Sequence, residues 1–268
     1  MNAWETLKER AGPGRPGRGG RGGAEARYRV AGAALLAAMV AAQVETGLRH
    51  EDLRLVSLVV VLLAASAIAY AAAAHTLPKA LAAFAGAAAV GYAAEWIGTR
   101  SGVPFGAYHY TGVLWPSPGG VPLIVALAWG GMGLAAQAVA RRVAPRGRTA
   151  RACVGALALT AWDLFLDPQM LRLGLWRWED TGPYRGVPFS NFVGWFLVSL
   201  LVMVLIDRVA GGPSPGSTGL VAVYTVMAVM ETIGFAAVFR PPDLLVAAAG
   251  GIAMGTFALL AWRYRWRR

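Results

Sequence analysis

Apolar and polar positions along this chain alternate in long blocks. From residue 30 onward eight apolar runs follow one another, at approximately 30–47, 53–74, 80–97, 121–140, 152–167, 190–206, 219–239 and 244–262. A bilayer core of about 30 Å is crossed by about 20 helical residues, and the runs approach that length. The pattern predicts an all-α fold: a polytopic membrane helix bundle of about eight transmembrane helices, or seven should the short fifth run not cross. No period-two alternation of the half-buried strand kind interrupts it, and no repeat of fixed period stands out.

Polar sequence is confined to the ends and the connections. Residues 1–29, with GPGRPGRGGRGG at 12–23, hold too little apolar surface to offset their chain entropy and read as a disordered, Arg/Gly-rich tail. The bundle then occupies 30–262, and 263–268 form a second basic tail. An Arg/Gly tract can bind RNA, but directly before a membrane span it serves as an orientation signal, so no nucleic-acid partner is expected. It lacks the short apolar core and small-residue cleavage site of a signal peptide. Of the 25 Lys and Arg, 18 fall on the side of the two termini and 7 on the other. The positive-inside rule therefore places both termini in the cytoplasm, in the cell membrane of a bacterium or archaeon. The long connections 98–120 and 168–189 then lie together on the non-cytoplasmic side.

Composition agrees: 57% of residues are hydrophobic, 15% are charged, and the mean hydropathy is +0.51. The 34 glycines suit a bundle in which small residues let helices approach closely. The net charge of +11 is carried by the short basic blocks between apolar runs, which makes it a signature of topology. A lone cysteine, Cys153, rules out an intrachain disulfide and a structural thiolate metal site. His50, His75 and His109 are far apart with no ligand spacing, so no metal is expected.

The candidate chemistry lies in acids that an ordinary span avoids. Asp163 and Asp167 are one helical turn apart and share a face. Glu95 stands near the outer end of the third run, Glu231 on the outer half of the seventh, and Asn191 and Trp195 open the sixth. An ionised side chain at the bilayer centre costs at least about 2.5–3.5 kcal/mol on insertion scales, so such acids are expected to face the bundle interior. Blander roles exist for two of them. Glu95 is close enough to the membrane boundary to be solvated or to pair with Arg100, and Asp167, before Pro168, suits a turn. Asp163 lies a turn deeper, and the arginine nearest Glu231 along the chain, Arg240, is more than two turns away. Carboxyl groups gathered in an apolar interior are equipment for general acid–base work on an apolar substrate. Trp96, Tyr108, Tyr110, Trp162, Trp178, Tyr184 and Trp195 add faces or hydroxyls from the same half of the bundle. An aromatic face is worth about 2 kcal/mol or more to a desolvated cation.

The runs EWIGTRSGVPFGAYHYTG (95–112), TAWDLFLDPQM (160–170) and LWRWEDTGPYRGVPFSNFVGW (175–195), with the later Glu231, resemble the integral-membrane carotenoid 1,2-hydratase family. That family includes γ-carotene 1′-hydroxylases and bisanhydrobacterioruberin hydratases. The combination of WDxxxDP, WxW and NxxGW carries the resemblance, which covers roughly residues 30–262. It implies carotenoid biosynthesis: cofactor-independent addition of water across the terminal 1,2 double bond of an acyclic end group, as in lycopene, γ-carotene or a C50 skeleton, to give a tertiary alcohol. Water is then the co-substrate, the carotenoid is met in the bilayer, and other enzymes of the carotenoid pathway are the expected partners.

Chemistry suggests the roles. Glu231 or Asp163 gives the proton, Trp162 and Trp195 with Tyr108 or Tyr110 flank the cation, and Asp167, nearest water, orients it with Asn191. Two other readings use the same acids. A membrane prenyltransferase would bind diphosphate through Asp163 and Asp167, but a second aspartate-rich motif is missing. A proton-coupled carrier would relay protons through Glu95, Asp163 and Glu231, but no inverted repeat is detectable.

Overall fold

The computed structural model describes residues 18–49, 52–211 and 216–266. Among them are eight helices long and apolar enough to cross a membrane. They are α1 Arg18–Leu48, α2 Leu53–Ala74, α3 Leu77–Ser101, α4 Leu123–Val143, α5 Arg148–Arg172, α6 Phe189–Val209, α7 Thr218–Ile233 and α8 Leu244–Trp266. The protein is an integral membrane helix bundle, as the block pattern predicts.

Local signals set several boundaries. The Asp52 side chain accepts from the Arg54 amide at the start of α2, Thr76 does the same for Lys79 at the start of α3, and Gly102 ends α3 in the left-handed conformation (φ 71°). The first helix departs from expectation, because it is already formed at Arg18 and so takes in residues 18–29 of the Arg/Gly-rich tail. An ion pair between Glu25 and Arg29, one turn apart, and the alanines from Ala24 onward suit a helix that leaves the bilayer without breaking. The rest of the expected disordered tail, 1–17, lies outside the described residues. At the other end, α8 carries the basic tail on as helix to Trp266, and 267–268 lie outside the description.

The short fifth run becomes a helix of 25 residues because Arg148–Arg151 and Pro168–Arg172 extend it at both ends. Pro168 therefore sits inside α5, and Asp167 is a helical residue, not a turn. A proline has no N–H to give to the carbonyl four residues back, which here is that of Leu164. The Tyr184 hydroxyl donates to the Leu164 oxygen at 2.8 Å and so supplies the missing bond from the connection that follows.

Helix α4 is the hub, packed against α2, α3, α5, α6, α7 and α8, whereas α1 lies at the edge, mainly on α2. Glycine makes the central contact possible: a Cβ on Gly91 would stand 2.2 Å from Cγ of Trp129, so only a bare backbone lets α3 lie against that indole. Where α4, α5 and α6 meet at the other end of the bundle, Asp207 accepts from Arg141 (3.0 Å), Arg151 (3.1 Å) and Gln137 (3.2 Å).

Two connections on the same side meet in a ribbon that the sequence pattern did not predict. Strand β1, Tyr108–Tyr110, pairs antiparallel with β2, Trp176–Trp178, with Tyr108 opposite Trp178 and Tyr110 opposite Trp176. The alternation in Tyr-His-Tyr and Trp-Arg-Trp turns the aromatic rings inward and leaves His109 and Arg177 exposed.

Candidate active site

The ribbon is what holds Glu95. This residue, 5% exposed near the end of α3, accepts hydrogen bonds from the hydroxyls of Tyr108 and Tyr110 (2.9 Å for the latter) and from Nε1 of Trp129 on α4 (3.2 Å). Burial, then the adjacent Glu95 carboxyl, push both tyrosine hydroxyls above their ordinary range, so they stay donors. The alternative roles for Glu95, solvation at the boundary or pairing with Arg100, are not seen: it is buried and Arg100 is engaged elsewhere. Arg100 donates instead to the carbonyls of Trp96 and Gly119 and lies over the Trp96 ring at 4.1 Å.

Asp163 and Asp167 share a face of α5, as their spacing requires, and that face meets α6. The side-chain amide of Asn191 donates to Asp163 at 2.7 Å and also to Asp167. The two acids are 0% and 2% exposed, and Oδ1 of Asp163 has no hydrogen-bond partner among the described residues. Asp167 was expected nearest to water. It is sealed instead, because α5 runs on through Pro168 to Arg172 and leaves it more than a turn inside the helix.

Next to these groups lies a cavity of about 300 Å³. One wall is made of indoles: Trp129 stacks on Trp195 at 4.1 Å with 14° between planes, and Trp162 meets Trp195 edge-on at 6.2 Å. Glu95 and Trp176 also line it. Another wall comes from α1 and α7 and carries Gln43, Met227, Met230 and Glu231. Gln43 donates to the Met227 sulfur at 3.5 Å. Glu231 is 8% exposed, and its carboxyl makes no hydrogen bond or ion pair among the described residues. Leaving a carboxyl without a partner in apolar surroundings is costly, which sets this group apart from the other three acids.

Four of the residues singled out in the sequence therefore reach the cavity: Glu95, Glu231, Trp162 and Trp195. Asp163, Asp167 and Asn191 form a closed cluster outside its lining. Tyr108 and Tyr110 act on Glu95, Trp178 packs on Tyr108 at 5.0 Å, and Tyr184 repairs α5, so none of these four lines the cavity. Trp96 is 43% exposed on the outside of α3, since its neighbour Glu95 takes the inward direction and successive side chains on a helix diverge by about 100°. The lining residues missed were Trp129, Gln43 and Gln169, and Trp176, part of the WxW motif, had not been assigned to the site. A tryptophan beside glycines in Trp129–Gly133 and a lone glutamine amid the alanines before Thr46 were the signals available. Among the described residues no group of three or more His, Cys, Asp and Glu gathers as a metal site.

Helices long and apolar enough to span a membrane, packed around an indole-walled cavity, define a polytopic integral membrane protein. More narrowly, the chain belongs to the family of carotenoid biosynthesis proteins, whose sequence profile matches residues 56–258. It is also similar to bisanhydrobacterioruberin hydratase of Haloarcula japonica, 30% identical over 122 residues, which is 43% of this chain and 41% of that protein. The chain thus spans about two fifths of the length of the curated relative it matches. No solved structure matches. The motifs at 95–112, 160–170 and 175–195, and Glu231, all fall within the family match, while α1 precedes it.

The shared donor of the aspartate pair makes a prediction. Replacing Asn191→Leu removes both hydrogen bonds, each worth about 0.5–1.5 kcal/mol, and leaves the buried acceptors unsatisfied. The variant is expected to unfold at a clearly lower temperature in detergent; an unchanged midpoint would show that the pair is held without Asn191.

Proposed function

We propose that the protein is a carotenoid hydratase that adds water across the terminal double bond of an acyclic carotenoid end group, leaving a tertiary alcohol. The observation that carries this reading is Glu231: a carboxyl with no partner among the described residues, on the wall of an apolar, tryptophan-lined cavity, in a member of a carotenoid biosynthesis family. The hydratase name of the relative points the same way.

Glu231, in its acid form, gives its proton to the less substituted carbon of the terminal alkene. The π electrons become the new C–H bond, and the positive charge is left on the tertiary carbon. In bulk water such a cation would gain nothing from the protein, but the faces of Trp129, Trp162 and Trp195 and the fixed Glu95 carboxyl replace solvent at low dielectric. Water adds to the tertiary carbon, and its surplus proton returns to the Glu231 carboxylate, so the acid is regenerated. Glu231 is preferred to Asp163 as donor because Asp163 lies outside the cavity lining. Asp167 and Asn191, first assigned to the entering water, here have the role of fixing α5 to α6. The reaction requires water as co-substrate and neither a redox cofactor nor a metal. The prenyltransferase alternative has little support from the geometry, since both acids of its DxxxD motif are sealed against Asn191.

By charge, both termini face the cytoplasm and the aromatic ribbon faces the other side of the cell membrane, with the carotenoid drawn from the bilayer and passed between enzymes of the same pathway. A reporter fused at residue 114 is expected to be inactive in the cytoplasm; activity there would invert the orientation.

Glu231→Gln keeps the volume and removes the acidic proton. Membranes should accumulate this variant normally while conversion falls by about 10²-fold or more, the scale of a general acid. Full activity would assign the proton to another group. The reaction itself is tested by incubating membranes with lycopene in ¹⁸O-labelled water without dioxygen. A labelled tertiary alcohol is expected, and an oxygen requirement or an unlabelled product would end the hydratase reading.

A further inference from the structure

We propose that the cavity opens sideways into the bilayer between the outer ends of α1 and α7. It takes only the end group of a long apolar chain, the remainder of which passes through this mouth and stays in lipid. This rests on the reading of the substrate as an acyclic carotenoid.

Size comes first. Pockets of about 300–1,000 Å³ enclose drug-sized ligands, and this cavity, at about 300 Å³, stands at the lower limit. A polyene long enough to span a membrane leaflet or more does not fit inside it, so a bound chain must leave the protein somewhere.

The lining shows where. Most of it is deep: Leu63, Trp129 and Trp195 are 0%, 1% and 4% exposed. Three residues line the cavity and yet face outward, namely Val44 (51%), Leu48 (73%) and Ile233 (48%). A side chain that belongs both to a cavity wall and to the outer surface stands at a rim. Two of these are on α1 and one on α7, and all three are aliphatic. The rim therefore suits hydrocarbon and offers nothing to a diphosphate or a sugar.

The backbone supports an opening at this point. Helix α1 lies at the edge of the bundle on α2 and reaches the cavity only through Gln43, Val44 and the residues from Thr46 to Leu48. On the other side of the rim, α7 departs from α-helical geometry just after Glu231 and Ile233, widening into the π turn Gly234–Val238. Such turns often mark functional positions in helices. Gly47 abuts that turn, since a Cβ there would stand 2.9 Å from Cγ1 of Val238, and this contact bounds the mouth toward the outer surface. Glu231 is on the same helix as the rim residue Ile233 and two positions before it. An end group entering from the lipid thus meets the α7 wall that carries the acid.

Two measurements on the full-length protein in lipid nanodiscs test this. In a Cys153→Ser background, Val44→Cys and Ile233→Cys are labelled with an apolar maleimide, with and without lycopene. Bound lycopene should slow labelling at both positions by about tenfold, while Leu197→Cys, on the lipid face of α6 and outside the cavity lining, labels at the same rate. Lack of protection at both rim positions overturns the proposal. Narrowing the mouth with Val44→Trp or Ile233→Trp gives the second readout. Conversion of lycopene should fall by about tenfold or more while a short acyclic terpene hydrocarbon with the same end group is still converted. Equal loss of both substrates, or loss of neither, also overturns it. Protection at the rim with no product from the unmodified protein would support the mouth and reject the hydratase reading, so the two proposals fail separately.

Discussion

Inside a bilayer no water is on hand to satisfy a polar group, and most of this structure can be read as the answer to that constraint. Glu95 receives three donors, two of them delivered by a ribbon built from separate connections. Asp163 and Asp167 are met by one amide between them. The carbonyl that Pro168 leaves open is closed by a tyrosine hydroxyl from outside the helix. Against this background the carboxyl of Glu231 is conspicuous, because among the described residues it makes no hydrogen bond or ion pair and it lines a largely apolar cavity. A group left unmatched where matching is the rule is where a reacting molecule has something to gain.

The spans were legible in the sequence because length and hydropathy are local properties, and a membrane reads little else. Even so, the start of α1 departs from the apolar run. Arg/Gly-rich composition argues for disorder when a segment must fold alone, but residues 18–29 are carried by the helix they precede, and nucleation has already been met. The fifth span shows the same effect: its apolar run ends at residue 167, yet the helix continues through a proline. Composition marks where a helix is favoured, and continuity with a favoured stretch decides where it stops.

The site was legible only to the level of which acids turn inward. The energetics of charge in lipid directs Glu95, Asp163, Asp167 and Glu231 away from the bilayer, and all four are buried. Which of them faces an open space depends on the rotation of each helix about its axis and on contacts such as Gly91 with Trp129, which no spacing along the chain encodes. Trp96 and Trp129 illustrate this. The first is adjacent to a buried acid and points outward; the second sits in an apolar run without acids and makes both a hydrogen bond to Glu95 and the stacked face of the cavity.

The two-stranded ribbon has a consequence for biogenesis. Its strands lie on either side of α4 and α5 in the chain, so Tyr108 and Tyr110 have no ribbon partner until Trp176–Trp178 has emerged. During synthesis, Glu95 must be accommodated in the membrane while the strand that positions its two hydroxyl donors is still unpaired. Two more helices have to be threaded before the partner strand arrives. The ribbon is therefore assembled late, by the meeting of two connections, and the strand that carries two of the donors to Glu95 is paired only after α4 and α5 have been made.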